Sequence, residues 1–294
     1  MRLPDHEVHA VRYATVDRRA VDNFLMRDAH DGLMPLDFFF WVIRGGGRTI
    51  VVDTGFSAHS SRRRNRTLIC TPAEGLAALG VDAATVPDVV LTHLHFDHAG
   101  NTDAFPGAKF HLQDAEMRFA TGRCMCHHAL NHFFEVEDVT ELVRKVYAGR
   151  VEFHDGDDEL APGVTVHKVG GHTEGLQIVR VHTARGWIVL ASDAAHYYRN
   201  MIDRNPFPGI LDVAQMLEGY RTIERLADSP AHIVPGHDPE VRSRYPVTRH
   251  GAIEIAALHV APRDPAQPPD VRKSPDRRTA PLAKTGGGEA GSSV

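Results

Sequence analysis

Apolar and polar positions along the chain fall into short blocks that predict alternating strands and helices. Residues 8–16 read as a strand, and residues 18–31 as a polar, charged connection. Residues 36–44 (LDFFFWVIR) are aromatic and β-branched. Gly45-Gly46-Gly47 then turns the chain into Thr49-Ile50-Val51-Val52, a pattern that predicts a hairpin. Its second strand ends in the polar turn Asp53-Thr54-Gly55. Thr71-Pro72-Ala73-Glu74 carries an N-cap, a proline at the first helical position and a capping-box glutamate; Gly80 closes that helix. Residues 87–91 and 108–112 predict strands, and 114–120 and 138–148 predict helices, separated by an irregular stretch at 121–136 rich in His, Cys and Phe. Residues 164–169 form a strand that ends at Gly170-Gly171-His172. Residues 177–182 and 187–191 form a second hairpin around Ala184-Arg185-Gly186. Val213, Met216, Leu217, Tyr220, Ile223 and Leu226 recur at helical spacing within 212–226, and Ile233-Val234 runs into Pro235-Gly236-His237.

The pattern stops near residue 261. Residues 262–294 are rich in Pro, Arg, Gly and Ser, without periodic apolar positions, so a folded region 1–261 and a disordered tail are expected. No short internal repeat is present, although each half carries a glycine-turned hairpin and a helix.

Composition narrows the class. A chain of 294 residues, 42% hydrophobic and 24% charged, can build its core without disulfide staples. A net charge of −5 gives no basic field for nucleic acid. Three cysteines, Cys70, Cys124 and Cys126, make no paired framework. The first residues lack the apolar core of a signal peptide, and no apolar run is long enough to span a bilayer. A soluble, reduced, cytoplasmic protein without a membrane partner is the expectation.

The chemistry concentrates in Leu91-Thr92-His93-Leu94-His95-Phe96-Asp97-His98-Ala99-Gly100. Imidazole and carboxylate are the side chains that zinc-like metals prefer, and burying four of them without a ligand costs several kcal/mol in desolvation. Three further candidates also follow apolar strands: His172, Asp193 and His237. In layered α/β folds, chemistry collects where strand ends meet. The seven residues His93, His95, Asp97, His98, His172, Asp193 and His237 exceed the roughly three protein ligands of one catalytic zinc. They suit two ions if a carboxylate bridges. His93 and His95, two apart in an extended segment, project to one side and can share an ion, while Asp97 and His98 lie beyond the turn and can face a second.

His93-Leu-His95-Phe-Asp97-His98 matches the H-x-H-x-D-H signature of the metallo-β-lactamase superfamily. Gly171-His172, Ser192-Asp193 and Gly236-His237 follow in the family's order, and Asp53-Thr54-Gly55 resembles its first motif. The resemblance spans roughly residues 8–245. It implies an α/β fold, a four-layer αββα sandwich, with two Zn2+ per chain. His93, His95 and His172 would hold one ion, Asp97, His98 and His237 the other, and Asp193 would bridge. A bridging hydroxide would attack a carbonyl carbon, with Asp97 relaying a proton to the leaving group. Asp53 either orients a ligand imidazole or caps its turn.

Within the superfamily, His95 stands where flavin-linked diiron oxygen reductases carry Glu, and Asp193 where true zinc β-lactamases often use Cys; no nuclease-type basic or clamp segment is visible. The pattern most resembles the N-acyl-homoserine lactonases, including Phe96, which would line the substrate pocket, and the 44-residue interval from Asp193 to His237. This implies a small-molecule lactone or ester substrate and a possible homodimer. The rivals are a thioester or phosphotriester hydrolase on the same centre and an iron-holding redox protein. Those lactonases often place a Tyr three residues after the bridging Asp; here His196 stands there, followed by Tyr197 and Tyr198, so the substrate-contacting donor is His196 or Tyr197 or its neighbour. The longer interval before His172 contains residues 121–134, with Cys124-Met125-Cys126-His127-His128. It reads as a pocket wall or lid in which Phe133 and Phe134 shelter an acyl chain, as a third metal site, or as a plain irregular loop.

Overall fold

The computed structural model describes residues 2–27 and 31–263. Residues 264–294 of the expected tail lie outside it. Fourteen strands are present among the described residues. The first seven are β1 (Glu7–Val16), β2 (Leu36–Gly45), β3 (Arg48–Val52), β4 (Thr67–Leu68), β5 (Asp88–Val90), β6 (Lys109–Gln113) and β7 (Val151–His154). The others are β8 (Asp158–Ala161), β9 (Val164–Lys168), β10 (Gln177–Thr183), β11 (Gly186–Ser192), β12 (Ile233–Pro235), β13 (Val247–His250) and β14 (Ile253–Ala257).

One sheet has the order β13-β14-β1-β2-β3-β5-β6-β7, with β4 paired to β1; the other has the order β12-β11-β10-β9-β8. The expected β2–β3 hairpin is present, with Gly46 and Gly47 at φ +57° and +76°, a left-handed pair that glycine adopts without a Cβ clash. The second expected hairpin is β10–β11. The helix Pro72–Ala78 carries the reciprocal capping box between Thr71 and Glu74.

The run LDFFFWVI is continuously apolar because both faces of β2 are covered. Phe38, Phe40 and Val42 join a core with Leu76, Phe119 and Leu142 from the outer helices. Phe39, Trp41 and Ile43 join a second core with Val164, Val166, Val179, Val181, Ile188 and Leu190 of the other sheet. On that sheet's far side, Ile178, Val189 and Ala191 pack against Tyr220 and Ile223 of the helix Val213–Leu226. Three apolar interiors between helix, sheet, sheet and helix make the four-layer αββα sandwich. No helix among the described residues is long and apolar enough to cross a membrane.

Several elements carry no strong sequence signal. β7 and β8 are short and largely exposed, and β13 (VTRH) is mostly polar. The helix Val136–Tyr147 begins two residues before the periodic pattern suggests. Near its start Asp138 is mostly buried, with one carboxylate oxygen unpartnered; burial first, then Glu135 and Glu137, push its pKa up to about 7. A carboxyl raised in the folded state costs stability once pH passes its unfolded value, and the full cost is present above about pH 7. Asp138→Asn should therefore raise unfolding free energy by roughly 2 kcal/mol at pH 8 and by almost nothing at pH 4, read from urea melts at the two values. Equal effects at both would contradict this assignment.

Candidate metal centre

The seven residues converge at one edge of the sandwich because each leaves the C-terminal end of a strand. β3 and β5 run parallel and deliver Asp53 and the segment from Thr92 to His98; β11 and β12 run parallel and deliver Asp193 and His237. His172 sits in the loop after β9. His95 caps the short helix Phe96–Ala99, which turns Asp97 and His98 toward the same space. All seven side chains are buried.

Three triads have potential ligand atoms within 4.8 Å of one another: His93–His95–His172, His93–His98–Asp193 and Asp97–His98–His237. The Asp193 carboxylate lies between the outer groups. Its Oδ1 is 3.1 Å from His98 Nε2 and 2.9 Å from His237 Nε2. Its Oδ2 is 3.2 Å from His172 Nε2 and 3.9 Å from His93 Nε2. His172 Nε2 also lies 2.9 Å from His95 Nδ1. Asp97 Oδ2 stands 3.6 Å from His98 Nε2 and 3.9 Å from His237 Nε2.

Acceptors behind the rings decide which ring nitrogen is free. His98 Nδ1 donates to Asp53 Oδ2 at 2.7 Å, His237 Nδ1 donates to the Asp37 carbonyl at 2.9 Å, and His172 Nδ1 donates to the Gly209 carbonyl. In its neutral form each ring then presents a lone pair at Nε2. Those lone pairs face carboxylate oxygens, so acceptor meets acceptor unless a proton or a metal ion lies between. His93 Nε2 and His98 Nε2 are buried without a hydrogen-bond partner. A set of imidazoles and carboxylates aimed at one another this way fits divalent ions of the zinc type.

The electrostatics divide the rings. Burial holds His93 and His95 well below the usual imidazole range. Burial also works downward on His98 and His237, but Asp193 and Asp97 overcome it and draw both up. Asp193 would rise on burial alone; His196, His237, His98 and His172 instead keep it well below the carboxylate range.

Asp53 both orients a ring and anchors a turn. Besides His98 it accepts from Thr92 N at 2.7 Å and from Thr92 Oγ1 at 2.9 Å, and its φ is +63°. Thr92 Oγ1 lies 2.9 Å from Ser192 Oγ on the other sheet, next to Asp193. Gly236 makes that join possible: a Cβ there would sit 2.7 Å from the Ser192 carbonyl group.

Two residues that sequence reasoning missed complete the frame. Glu116 is fully buried and accepts from Leu94 N (2.9 Å), Thr173 Oγ1 (2.6 Å) and Gly175 N (3.0 Å), tying the His95 segment to the His172 loop. The Tyr13 hydroxyl donates to the Asp97 carbonyl at 2.7 Å. Neither lies in a recognisable motif; the one hint is a glutamate on the apolar side of a short helix.

The donor candidates separate. His196 joins the centre, its Nε2 3.0 Å from Asp193 Oδ2, within a fourth triad with His172 and Asp193. Burial first pushes its pKa down, to about 3, so the ring is neutral. The Tyr197 hydroxyl donates to the Pro35 carbonyl at 3.2 Å, with its ring in the apolar core. Tyr198 packs in the core between the sheets, beneath the Arg244 guanidinium. Phe96, expected in the pocket, is buried, stacks on Phe56 and lies under Arg64.

Beside His95 and His172 a cavity of about 160 Å3 is lined by Phe119, Leu130, Phe133, Ile210 and Leu211, among others. Phe133 stacks on the His95 ring with centroids 5.0 Å apart, whereas Phe134 is buried in the core. The segment 121–134 thus forms a wall of this cavity, with Phe133 in the wall and Phe134 behind it. No triad of potential ligands includes its Cys or His residues among the described residues.

The Metallo-beta-lactamase superfamily profile matches residues 39–248. The chain belongs to that superfamily. An N-acyl homoserine lactonase of Bacillus cereus is 26% identical over 242 residues, which is 76% of this chain and 89% of the relative. A probable metallo-hydrolase of Mycobacterium tuberculosis is 26% identical over 221 residues, 65% of this chain and 68% of that one. The crystal structure of a quorum-quenching N-acyl homoserine lactone lactonase superposes with a TM-score of 0.65 at 22% identity, covering 82% of this chain and 94% of the other. The superfamily member described here is a metal-dependent hydrolase.

Glu116 and Gly175 generate a test. A Cβ at Gly175 would come within 2.1 Å of Glu116 N. Gly175→Ala should destabilise the fold by about 1–3 kcal/mol through overpacking. Asp53→Asn should lower metal affinity by about 10–100-fold through loss of ring orientation, measured by competition with a chromophoric chelator. Unchanged affinity would remove Asp53 from its role behind His98.

Proposed function

We propose that this hydrolase opens lactone rings, with N-acyl homoserine lactones as the foremost class, using two zinc ions. His93, His95 and His172 would hold one, Asp97, His98 and His237 the other, and Asp193 would bridge. The observation that carries the reading is the division of Asp193 between the two groups, Oδ1 toward His98 and His237 and Oδ2 toward His172 and His93. Bound divalent ions supply Lewis acidity toward the scissile carbonyl and activate water at neutral pH.

The chain's own groups do the rest. Asp97, with Oδ2 beside His98 and His237, carries a proton to the alkoxide that leaves when the ring opens. His196 keeps its Nε2 N–H on Asp193, so the buried, unpartnered Nδ1 of the neutral ring is an acceptor that suits a substrate N–H. Phe133, Leu130 and Ile210 shelter the acyl group from water. Relatives bearing the lactonase name support this choice of substrate. Thioesters and phosphotriesters are the second reading, because attack at carbon or phosphorus draws on the same centre.

Metal content and a substrate panel on one sample test the proposal. The expected result is two zinc per chain, loss of turnover on chelation with recovery on zinc addition, and ring opening of acyl homoserine lactones. Asp97→Asn should lower kcat by about 10²–10⁴-fold. Rapid thioester cleavage with no lactone opened would overturn the substrate assignment, and bound iron with oxygen consumption would overturn the hydrolytic use of zinc.

A further inference from the structure

A second cavity, of about 400 Å3, lies apart from the metal centre at the β13 edge of the larger sheet. Pro239 and Arg242 wall it at the helix Glu240–Arg244, Val247 and Arg249 on β13, Glu254 on β14, and Arg263 beyond that strand. None of these is a candidate metal ligand. Asp37 stands between the two places. Its carboxylate accepts from Arg12 Nε at 2.8 Å and from Arg242 Nε at 2.7 Å, while its carbonyl accepts from His237 Nδ1.

Glu254 is the only carboxylate in the lining, and its acceptor sites are taken. Its Oε2 accepts from Arg242 Nη1 at 2.7 Å and from Arg12 Nη1 at 3.3 Å. Its Oε1 lies 3.0 Å from Arg249 Nε and 2.8 Å from Arg249 Nη2. A carboxylate offers about four lone-pair sites, so none remains for a further donor. Arg263 is exposed, is tethered by its N–H to the Arg244 carbonyl, and forms no ion pair among the described residues. Arg242 Nη2 and Arg249 Nη1 have no acceptor among the described residues either, and those two side chains are 25% and 71% exposed. Three guanidiniums thus line an open cavity against one saturated carboxylate. That leaves a local surplus of positive charge on a chain whose net charge is −5.

We propose that this cavity is a second binding site, which takes a small organic phosphate monoester on Arg242, Arg249 and Arg263. Guanidinium forks match phosphate oxygens in charge and geometry. Here they come from a helix, a strand and the segment after β14, so they meet a tetrahedral dianion from several sides, as a planar carboxylate does not require. The cavity falls within the roughly 300–1,000 Å3 of small-molecule pockets. Pro239 and Val247 give the organic part an apolar side. The proposal is independent of the substrate assigned to the metal centre.

The test is calorimetric titration of the full-length, zinc-loaded protein with phenylphosphonate, a dianion without a hydrolysable ester bond, and with benzoate as the planar, singly charged control. Wild type should bind the phosphonate about tenfold or more tightly than benzoate, less so at high salt. Arg249→Gln and Arg263→Gln should each weaken phosphonate binding by about tenfold at wild-type zinc content and thermal midpoint. Arg249→Lys should restore part of it. Arg221→Gln, on an exposed face of the helix Val213–Leu226, removes the same charge elsewhere and should leave the affinity unchanged. Phosphonate affinity unchanged in both Arg249→Gln and Arg263→Gln puts the probe on the metals and overturns the proposal. So does an equal loss in Arg221→Gln, benzoate binding as tightly as the phosphonate, or no binding heat at all.

Discussion

The Asp193 carboxylate is the constraint on which this molecule's functional edge depends. It lies buried among imidazoles, where an isolated charge would cost several kcal/mol. At separations near 3 Å the surrounding rings could repay this only as donors. Yet Asp53, the Asp37 carbonyl and the Gly209 carbonyl claim the far N–H of three of them. The chain's own hydrogen bonds thus leave each neutral ring with its lone pair toward a carboxylate oxygen, a contact that a proton or a metal ion resolves. Proteins leave buried polar groups unpaired at few places, and here several point at a common space. Cations complete that arrangement, and their binding energy contributes to the folded state as well as to the chemistry.

Holding such a frustrated edge requires links that cross between the sheets. Asp53 and Ser192 both adopt left-handed backbone conformations, at φ +63° and +44°. Strain of this sort persists only where the surroundings over-determine it. Thr92 provides one such tie, touching Asp53 on its own sheet and Ser192 on the other. Glu116 provides another, with three donors from two separate loops. Its carboxyl is raised by burial, partly offset by those donors. The ligand loops are therefore braced on the side away from the open space, and substitutions at the braces should act on metal affinity before they act on the reacting atoms.

The parts legible in the sequence were those with strong local signatures. The β2–β3 hairpin followed from glycines between β-rich runs, and the capping box marked the Thr71 helix. The cluster followed because strand ends carried His or Asp, and the structure brings all seven together. What escaped were features set by tertiary packing alone. β13 is a polar edge strand without alternation, and Glu116 shows only as a glutamate on the apolar side of a short helix until that helix is docked. Phe96 misled for the same reason: it is next to two cluster residues in sequence, but the helical turn aims its ring at Phe56. Tyr197 was a reasonable donor by position, but its hydroxyl meets the Pro35 carbonyl, and His196 takes the place on Asp193.

The centre and its surroundings answer different questions. Metal held among these donors determines which bonds can be attacked, and many substrates satisfy that condition. Discrimination has to come from groups that touch the remainder of the substrate. The His95 and His172 flank opens on an apolar cavity whose Phe133 wall comes from the 121–134 segment. An apolar wall gains little from recognising one more methylene, about 1 kcal/mol, whereas a buried polar group left unpaired by the wrong substrate costs more. Polar groups around the centre are therefore the sharper filter, and the cavity sets only how large an apolar group the site accepts.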